Sequence, residues 1–118
     1  MRRFAIALLI ASGLFVGHAQ AESRCGWIVN PTPGNWWLTD SQDSWIIATQ
    51  GDDRDPGMEH VPDIGAHDYV KTNGLYGYAC GCMAGDYDAN KKIVVKIVSF
   101  VQKPLAACRK DKKLKSPD

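Results

Sequence analysis

Four cysteines, two of them separated by a single residue, set the strongest limit on what this 118-residue chain can fold into. They are Cys25, Cys80, Cys82 and Cys108. An even number of cysteines in a small exported domain is expected to form a disulfide framework. Joining Cys80 to Cys82 closes a very tight ring, and in an extended strand those two side chains point the same way without bridging geometry. Two pairings stay open: Cys25–Cys80 with Cys82–Cys108, or Cys25–Cys82 with Cys80–Cys108. Either ties both ends of the domain to one central strand, each closure contributing roughly 3–4 kcal/mol by loss of unfolded-chain entropy. A zinc site is disfavoured, because Cys-x-Cys lacks the usual two-to-four-residue gap and the expected compartment is oxidising.

That compartment is inferred from the N-terminus. Arg2 and Arg3 precede an apolar run over residues 4–16, which leads into Ala19-Gln20-Ala21. Positive charge, a short apolar stretch and small residues at alternate positions make a secretory signal, with cleavage expected after Ala21. The run is shorter than the ~20 residues a membrane-spanning helix needs. Cys25 follows Glu22-Ser23-Arg24 rather than the cleavage site, so no lipid anchor is expected. Residues 1–21 are therefore assigned as a removed signal peptide and residues 22–118 as a single disulfide-bonded β domain, periplasmic or secreted, without a transmembrane anchor.

Without Arg2 and Arg3 the 14 basic residues become 12, against 13 acidic ones. A near-neutral domain gives no support for nucleic-acid binding, which calls for a basic surface. A domain this small buries a modest share of its surface, and covalent staples supplement such a core.

Turn residues divide the rest into short strands. Residues 25–29 form an apolar strand, stopped by Asn30-Pro31-Thr32-Pro33-Gly34. Residues 35–39 and 44–50 read as a hairpin around a four-residue loop. Residues 51–68, rich in Asp, Gly and Pro, read as a long surface loop. Extended structure resumes at 69–72, and Asn73-Gly74 signals a turn. In 76–83, aromatic or cysteine positions alternate with Gly or Ala, as in a strand closely approached by other backbone. Residues 92–102 form the strongest strand. Strict alternation puts Ile93, Val95, Ile97, Ser99 and Val101 on one face and Val94, Lys96, Val98 and Phe100 on the other, which suggests a central or curled strand. After Pro104, residues 105–113 can make one or two helical turns that bring Cys108 to the body. The expected fold is mostly β: a small disulfide-stapled barrel or twisted antiparallel sheet with a short C-terminal helix.

The blocks CGWIVNPTPGNW (25–36), WII (45–47), YGYACGCM (76–83) and PLAACRKD (104–111) resemble a domain family of unknown function found in exported proteins of Gram-negative bacteria. The resemblance spans nearly all of residues 22–118. It implies a periplasmic location and supplies no catalytic residues.

Chemistry is therefore weighed site by site. Trp27, Trp36, Trp37 and Trp45 are dense for a domain of this size, and adjacent Trp36 and Trp37 must face opposite sides of a strand. An exposed indole suits stacking on a sugar or anchoring a protein interface. Trp36, Trp37, Trp45, Tyr76 and Tyr78 are accordingly candidate binding residues, with Asp52, Asp53 and Asp55 of the acidic loop. That loop also carries Glu59, Asp63 and Asp68, and could present a negative patch or hold Ca²⁺. Asp86-Tyr87-Asp88-Ala89-Asn90 begins like an EF-hand loop, then fails at Lys91 and Ile97, and reads as a turn. His67-Asp68 invites a general-base reading, but no nucleophile stands out, so no catalytic residues, metal or cofactor are assigned. Lys103, Arg109, Lys110, Lys112, Lys113 and Lys115 make a basic counterpart to the acidic loop. The expected role is binding, through a protein partner in the envelope of the inhibitor or immunity kind. The alternatives are a glycan or peptidoglycan module using tryptophan, and a hydrolase using His67 with Asp68 or Asp63.

Overall fold

The computed structural model describes residues 21–118. The signal-peptide expectation falls on residues outside these, apart from Ala21.

Six strands build the domain: β1 (Glu22–Thr32), β2 (Asn35–Thr39), β3 (Ser44–Ala48), β4 (Tyr69–Asn73), β5 (Tyr76–Asp88) and β6 (Ile93–Lys103). A one-turn helix, α1 (Leu105–Arg109), follows. The order β1-β2-β3-β6-β5 closes on itself because β1 also pairs with β5, giving a five-stranded ring with β4 attached beside β5. One edge of β5 lies along β1 from Gly77 to Gly85. Its other edge is shared, β4 taking Tyr76–Ala79 and β6 taking Cys80–Asp88. The ring closes between β3 and β6 through a parallel contact, Ile46 opposite Ile93. The sheet is thus mixed rather than wholly antiparallel.

The ring's interior holds Ile28, Leu38, Trp45, Ile47, Ala79, Met83, Val94, Ile97 and Phe100, closed at one side by Ile64 of the 51–68 loop. Full burial of each of the Val, Leu, Ile, Met and Phe side chains is worth about 1.5–3 kcal/mol. A second apolar cluster lies outside the ring, where Trp27, Val29, Tyr78 and Cys80 are covered by Cys108, Leu105 and Leu114. The alternation of β5 explains both. Its inward face alternates Met83 and Tyr87 with glycines, and at the glycines neighbours approach closely: a Cβ on Gly81 would sit 2.2 Å from the Phe100 ring, and one on Gly85 2.1 Å from the Lys96 carbonyl oxygen. The close backbone approach expected from its Gly/Ala alternation is present.

β6 departs from the expected pattern. Two β-bulges interrupt its ladder with β5: Val98 is passed over between the pairs Ala84–Ser99 and Gly85–Ile97, and Val95 between Asp86–Lys96 and Tyr87–Val94. Each bulge inserts one residue and resets which side faces in. The buried positions become Val94, Ile97 and Phe100, every third residue, while Val95, Val98 and Val101 are exposed. Strict alternation placed Ile97 with Val95 and Val94 with Val98; both groupings are overturned.

Of the two readings of β6, central or curled, the ring fits the curled one, since β6 is flanked by β5 along its length and by β3 at Ile93 alone. Beyond Ile93 its outer side meets the 51–68 loop: the Ile97 amide donates to the Pro56 carbonyl at 2.7 Å, and Arg54 donates to the Val94 and Ile47 carbonyls. Gln102 adds side-chain bonds to the carbonyls of Ile64 and His67, at 3.1 and 2.7 Å. The loop therefore does more than lie on the surface; it covers a sheet edge that would otherwise invite pairing. It contains two one-turn 3-10 helices, Met58–His60 and Ile64–Ala66. β1 also runs past the expected stop into Pro31. Pro31 falls in the register break between Val29 and Thr32, where its missing amide costs the ladder nothing.

Of the two open disulfide pairings, the chain adopts Cys25–Cys82 and Cys80–Cys108. Cys25 and Cys82 are direct partners in the β1–β5 ladder, while Cys80 reaches outward to α1. No cysteine is free among the described residues.

Candidate functional site

The two ends of the ring differ in chemistry. At the end holding the β2–β3 and β5–β6 turns, the Arg24 guanidinium lies 4.2 Å from the Trp45 ring centre and 5.1 Å from that of Tyr87. Trp45 and Tyr87 pack edge to face at 5.2 Å. Arg24 donates to Asp40 Oδ2 and Gln42 Oε1, each at 2.9 Å, and to Glu22. Burial alone would raise the Asp40 carboxyl; Arg24 and the amides of Asp43 and Gln42 outweigh it and hold Asp40 below the usual carboxylate range. Lys92 pairs with Asp43 at 2.7 Å on the rim. This end is a closed polar cap with its own cation in place.

The opposite end is open. A groove of about 340 Å³ there is lined by Asn30, Trp36, Met58, Asp63, Tyr69 and Leu75, among others. Its walls are pinned locally. The buried Asn30 side chain donates to the carbonyls of Thr32 and Asn35, at 3.0 and 2.8 Å, which holds the β1–β2 turn. Tyr69, at the start of β4, donates from its hydroxyl to the Leu75 carbonyl at 3.0 Å, tying the tip of the β4–β5 hairpin to its base. Asp63 Oδ1 accepts the Gly65 amide at 3.1 Å. Leu75, at the hairpin tip, is 78% exposed. Burial, and after it the charge of Asp63, push the Tyr69 hydroxyl above its ordinary value.

The candidate binding residues divide accordingly. Trp36 and Trp37 do face opposite sides, Trp36 at the margin of the interior and Trp37 against the outer cluster, and both are half-buried. Only Trp36 lines the open groove. Trp45 belongs to the core under Arg24 and Tyr78 to the outer cluster, packed edge to face on Trp27 at 5.1 Å, so neither presents a free face. Tyr76 is half-buried in β5. In the acidic loop, Asp52 accepts the Arg54 amide and Asp55 the Gly57 amide, each at 2.9 Å. Their clustering thus reflects turn formation, for which aspartate is well suited. Asp53 is exposed on the same loop. Among the described residues no group of three His, Cys, Asp or Glu side chains is arranged to hold a metal ion. Asp88 caps the β5–β6 turn through the amides of Asn90 and Lys91. Asp86, Tyr87 and Asp88 themselves belong to β5, so the turn proper begins after them.

His67 Nδ1 lies 3.3 Å from Asp68 Oδ2, with both side chains exposed. Among the hydrogen bonds of the described residues this is the ring's one partner, and no hydroxyl joins it. Sequence reasoning missed Arg24, Asp40 and Tyr87, whose association needs three strands to converge. It also missed Leu75, for which the preceding Asn73-Gly74 turn was a usable signal, since a residue beside a hairpin tip tends to project.

The description "Protein of unknown function (DUF4087)" applies to a family that matches residues 19–115. The chain belongs to that family. No curated protein and no solved structure matches it. The DUF4087 match covers the whole ring, both disulfides and the open groove. No helix among the described residues is long and apolar enough to cross a membrane, and the two formed disulfides of this DUF4087 domain are consistent with an extracytoplasmic location.

Proposed function

We propose that the chain is a small periplasmic binding protein that acts by docking on another protein, as an inhibitor or immunity-type partner of an envelope-acting protein does. The observation that carries this reading is Leu75, an apolar side chain 78% exposed at a hairpin tip, beside a groove whose walls are held by hydrogen bonds. Covering an exposed leucine on association removes apolar surface from water, and a backbone already held by the Tyr69 hydrogen bond loses little further freedom. The doubly stapled ring supports the same reading, since its surface needs no folding on binding.

Affinity capture from periplasmic extract tests it, with the oxidised wild-type domain beside Leu75→Ser and a reduced control. One protein retained by wild type and lost with Leu75→Ser supports the reading. Recovery of the same abundant proteins by all three baits refutes it. A second reading, glycan or peptidoglycan recognition, draws on Trp36, Asn30 and Asp63 sharing the groove. Retention on purified cell wall by wild type, abolished by Trp36→Ala, would favour that reading instead.

A further inference from the structure

We infer that the open groove receives a cationic side chain, lysine or arginine, presented by the partner protein. This rests on the docking reading above and specifies its chemistry. The groove combines two aromatic residues, Trp36 and Tyr69, with one carboxylate, Asp63, and no lysine or arginine lines it. The aromatic faces attract a cation through their quadrupoles, and a nearby carboxylate adds charge. Met58 and Leu75 offer apolar surface to the methylene stem of such a side chain.

The molecule already contains this arrangement once. At the closed end a tryptophan, a tyrosine and an aspartate, Trp45, Tyr87 and Asp40, gather around Arg24. The open end repeats the three residue types without a cation of its own. Asp63 is free to supply the charge: Oδ1 holds the Gly65 amide, while Oδ2 accepts no hydrogen bond among the described residues. The surrounding loop reinforces the preference. Asp53, Asp55, Glu59 and Asp68 lie on it, and its one guanidinium, Arg54, is turned away toward Val94, Ile47 and Asp52. The excess of negative charge on this loop, part of which lines the groove, favours a basic partner surface over an acidic one.

The test is an NMR titration of the oxidised domain with a capped Gly-Arg-Gly peptide, with the citrulline peptide as neutral isostere and choline chloride as free cation. The arginine peptide is expected to shift the Trp36 indole and Gly65 amide signals, saturating with a Kd of about 1–10 mM. The citrulline peptide and the Asp63→Asn variant are each expected to weaken this by about two- to fivefold. Asp63→Asn keeps an oxygen acceptor for the Gly65 amide, so the loop is retained and the charge alone is removed. Equal shifts from the arginine and citrulline peptides, shifts confined to other residues, or none up to about 50 mM overturn the inference. Choline binding at the same signals as tightly as the arginine peptide overturns the commitment to a protein side chain. If Leu75-dependent capture occurs without arginine-peptide shifts, this inference fails and the docking reading stands. Arginine shifts without any captured protein reverse that outcome.

Discussion

The bulged strand β6 makes a prediction that simple strand alternation contradicts. Val94 and Val98 are the same residue type, four positions apart, and alternation assigns them to one face. In the fold Val94 is 0% exposed and Val98 45% exposed. Truncating either valine to alanine removes two methyl groups. At full burial, transfer of those groups is worth about 1.6 kcal/mol, and the cavity left in the ring's interior raises the cost of Val94→Ala to about 2–3 kcal/mol. At Val98 about half the transfer value applies and no cavity forms, so the cost stays below about 1 kcal/mol. Ile97→Ala, at 1% exposure, and Val95→Ala, at 48%, extend the comparison. Ile97→Ala should cost about 2–5 kcal/mol, lowering the melting temperature by about 10–25 °C, while Val95→Ala should shift it by a few degrees. Urea unfolding followed by tryptophan fluorescence measures all four, with a common slope confirming that only stability has changed. A difference between Val94→Ala and Val98→Ala below about 0.5 kcal/mol would refute the bulged register.

Three further outcomes follow from the structure. Replacing Cys80 and Cys108 together by alanine opens a bridge of sequence separation 28 and should cost about 3.6 kcal/mol by loop entropy, with α1 and Leu114 undocking and Trp27 fluorescence shifting red; loss of less than about 1 kcal/mol, with no red shift, would show that α1 docks without its staple. Asp40 is depressed in the fold, so its stabilising contribution is complete above the unfolded value of about 3.9 and is lost as pH falls through the depressed one. Asp40→Asn should therefore flatten the stability profile below about pH 4 and cost about 1–3 kcal/mol at neutral pH, and an unaltered acid limb in the variant would remove Asp40 from that role. Gly81→Ala should destabilise by about 1–3 kcal/mol through collision with the Phe100 ring and the Val101 carbonyl oxygen, measured by thermal unfolding, and a neutral result would mean that both the ring and the β6 backbone can give way.

Much of the fold was legible because local patterns and final environment agree. The hairpin of β2 and β3, the opposed faces of Trp36 and Trp37, and the close approach along β5 all follow from residue type and period. The alternation of β6 failed because two bulges interrupt its pairing, and what it meets there, β5 on one side and the Pro56 carbonyl at Ile97 on the other, is distant in sequence. The binding candidates were legible only in part. Trp45 and Tyr78 look as suited to recognition as Trp36, and burial by distant strands, not their own neighbours in sequence, separates them. In the acidic loop several aspartates accept local backbone amides, so the same residues carry both turn geometry and charge, and sequence does not separate the two.

The single residue between Cys80 and Cys82 bears on how the ring assembles. β1 pairs with β5 across most of the chain, a long-range contact that forms slowly compared with local hairpins. Sliding β1 by two residues along β5 brings Cys25 opposite Cys80 and, because strand faces repeat every two residues, keeps every apolar side chain pointing the right way. Hydrophobic patterning therefore does not reject this misregister, and oxidation before the strands settle would capture it as a Cys25–Cys80 bond. The thiolate of Cys82, on the same face and two positions along, can correct it by attacking Cys25 Sγ, which forms Cys25–Cys82 and releases the Cys80 thiolate that Cys108 later takes up. The spacing that staples the finished ring thus also sets its most accessible wrong turn, and places the group that corrects it beside the error.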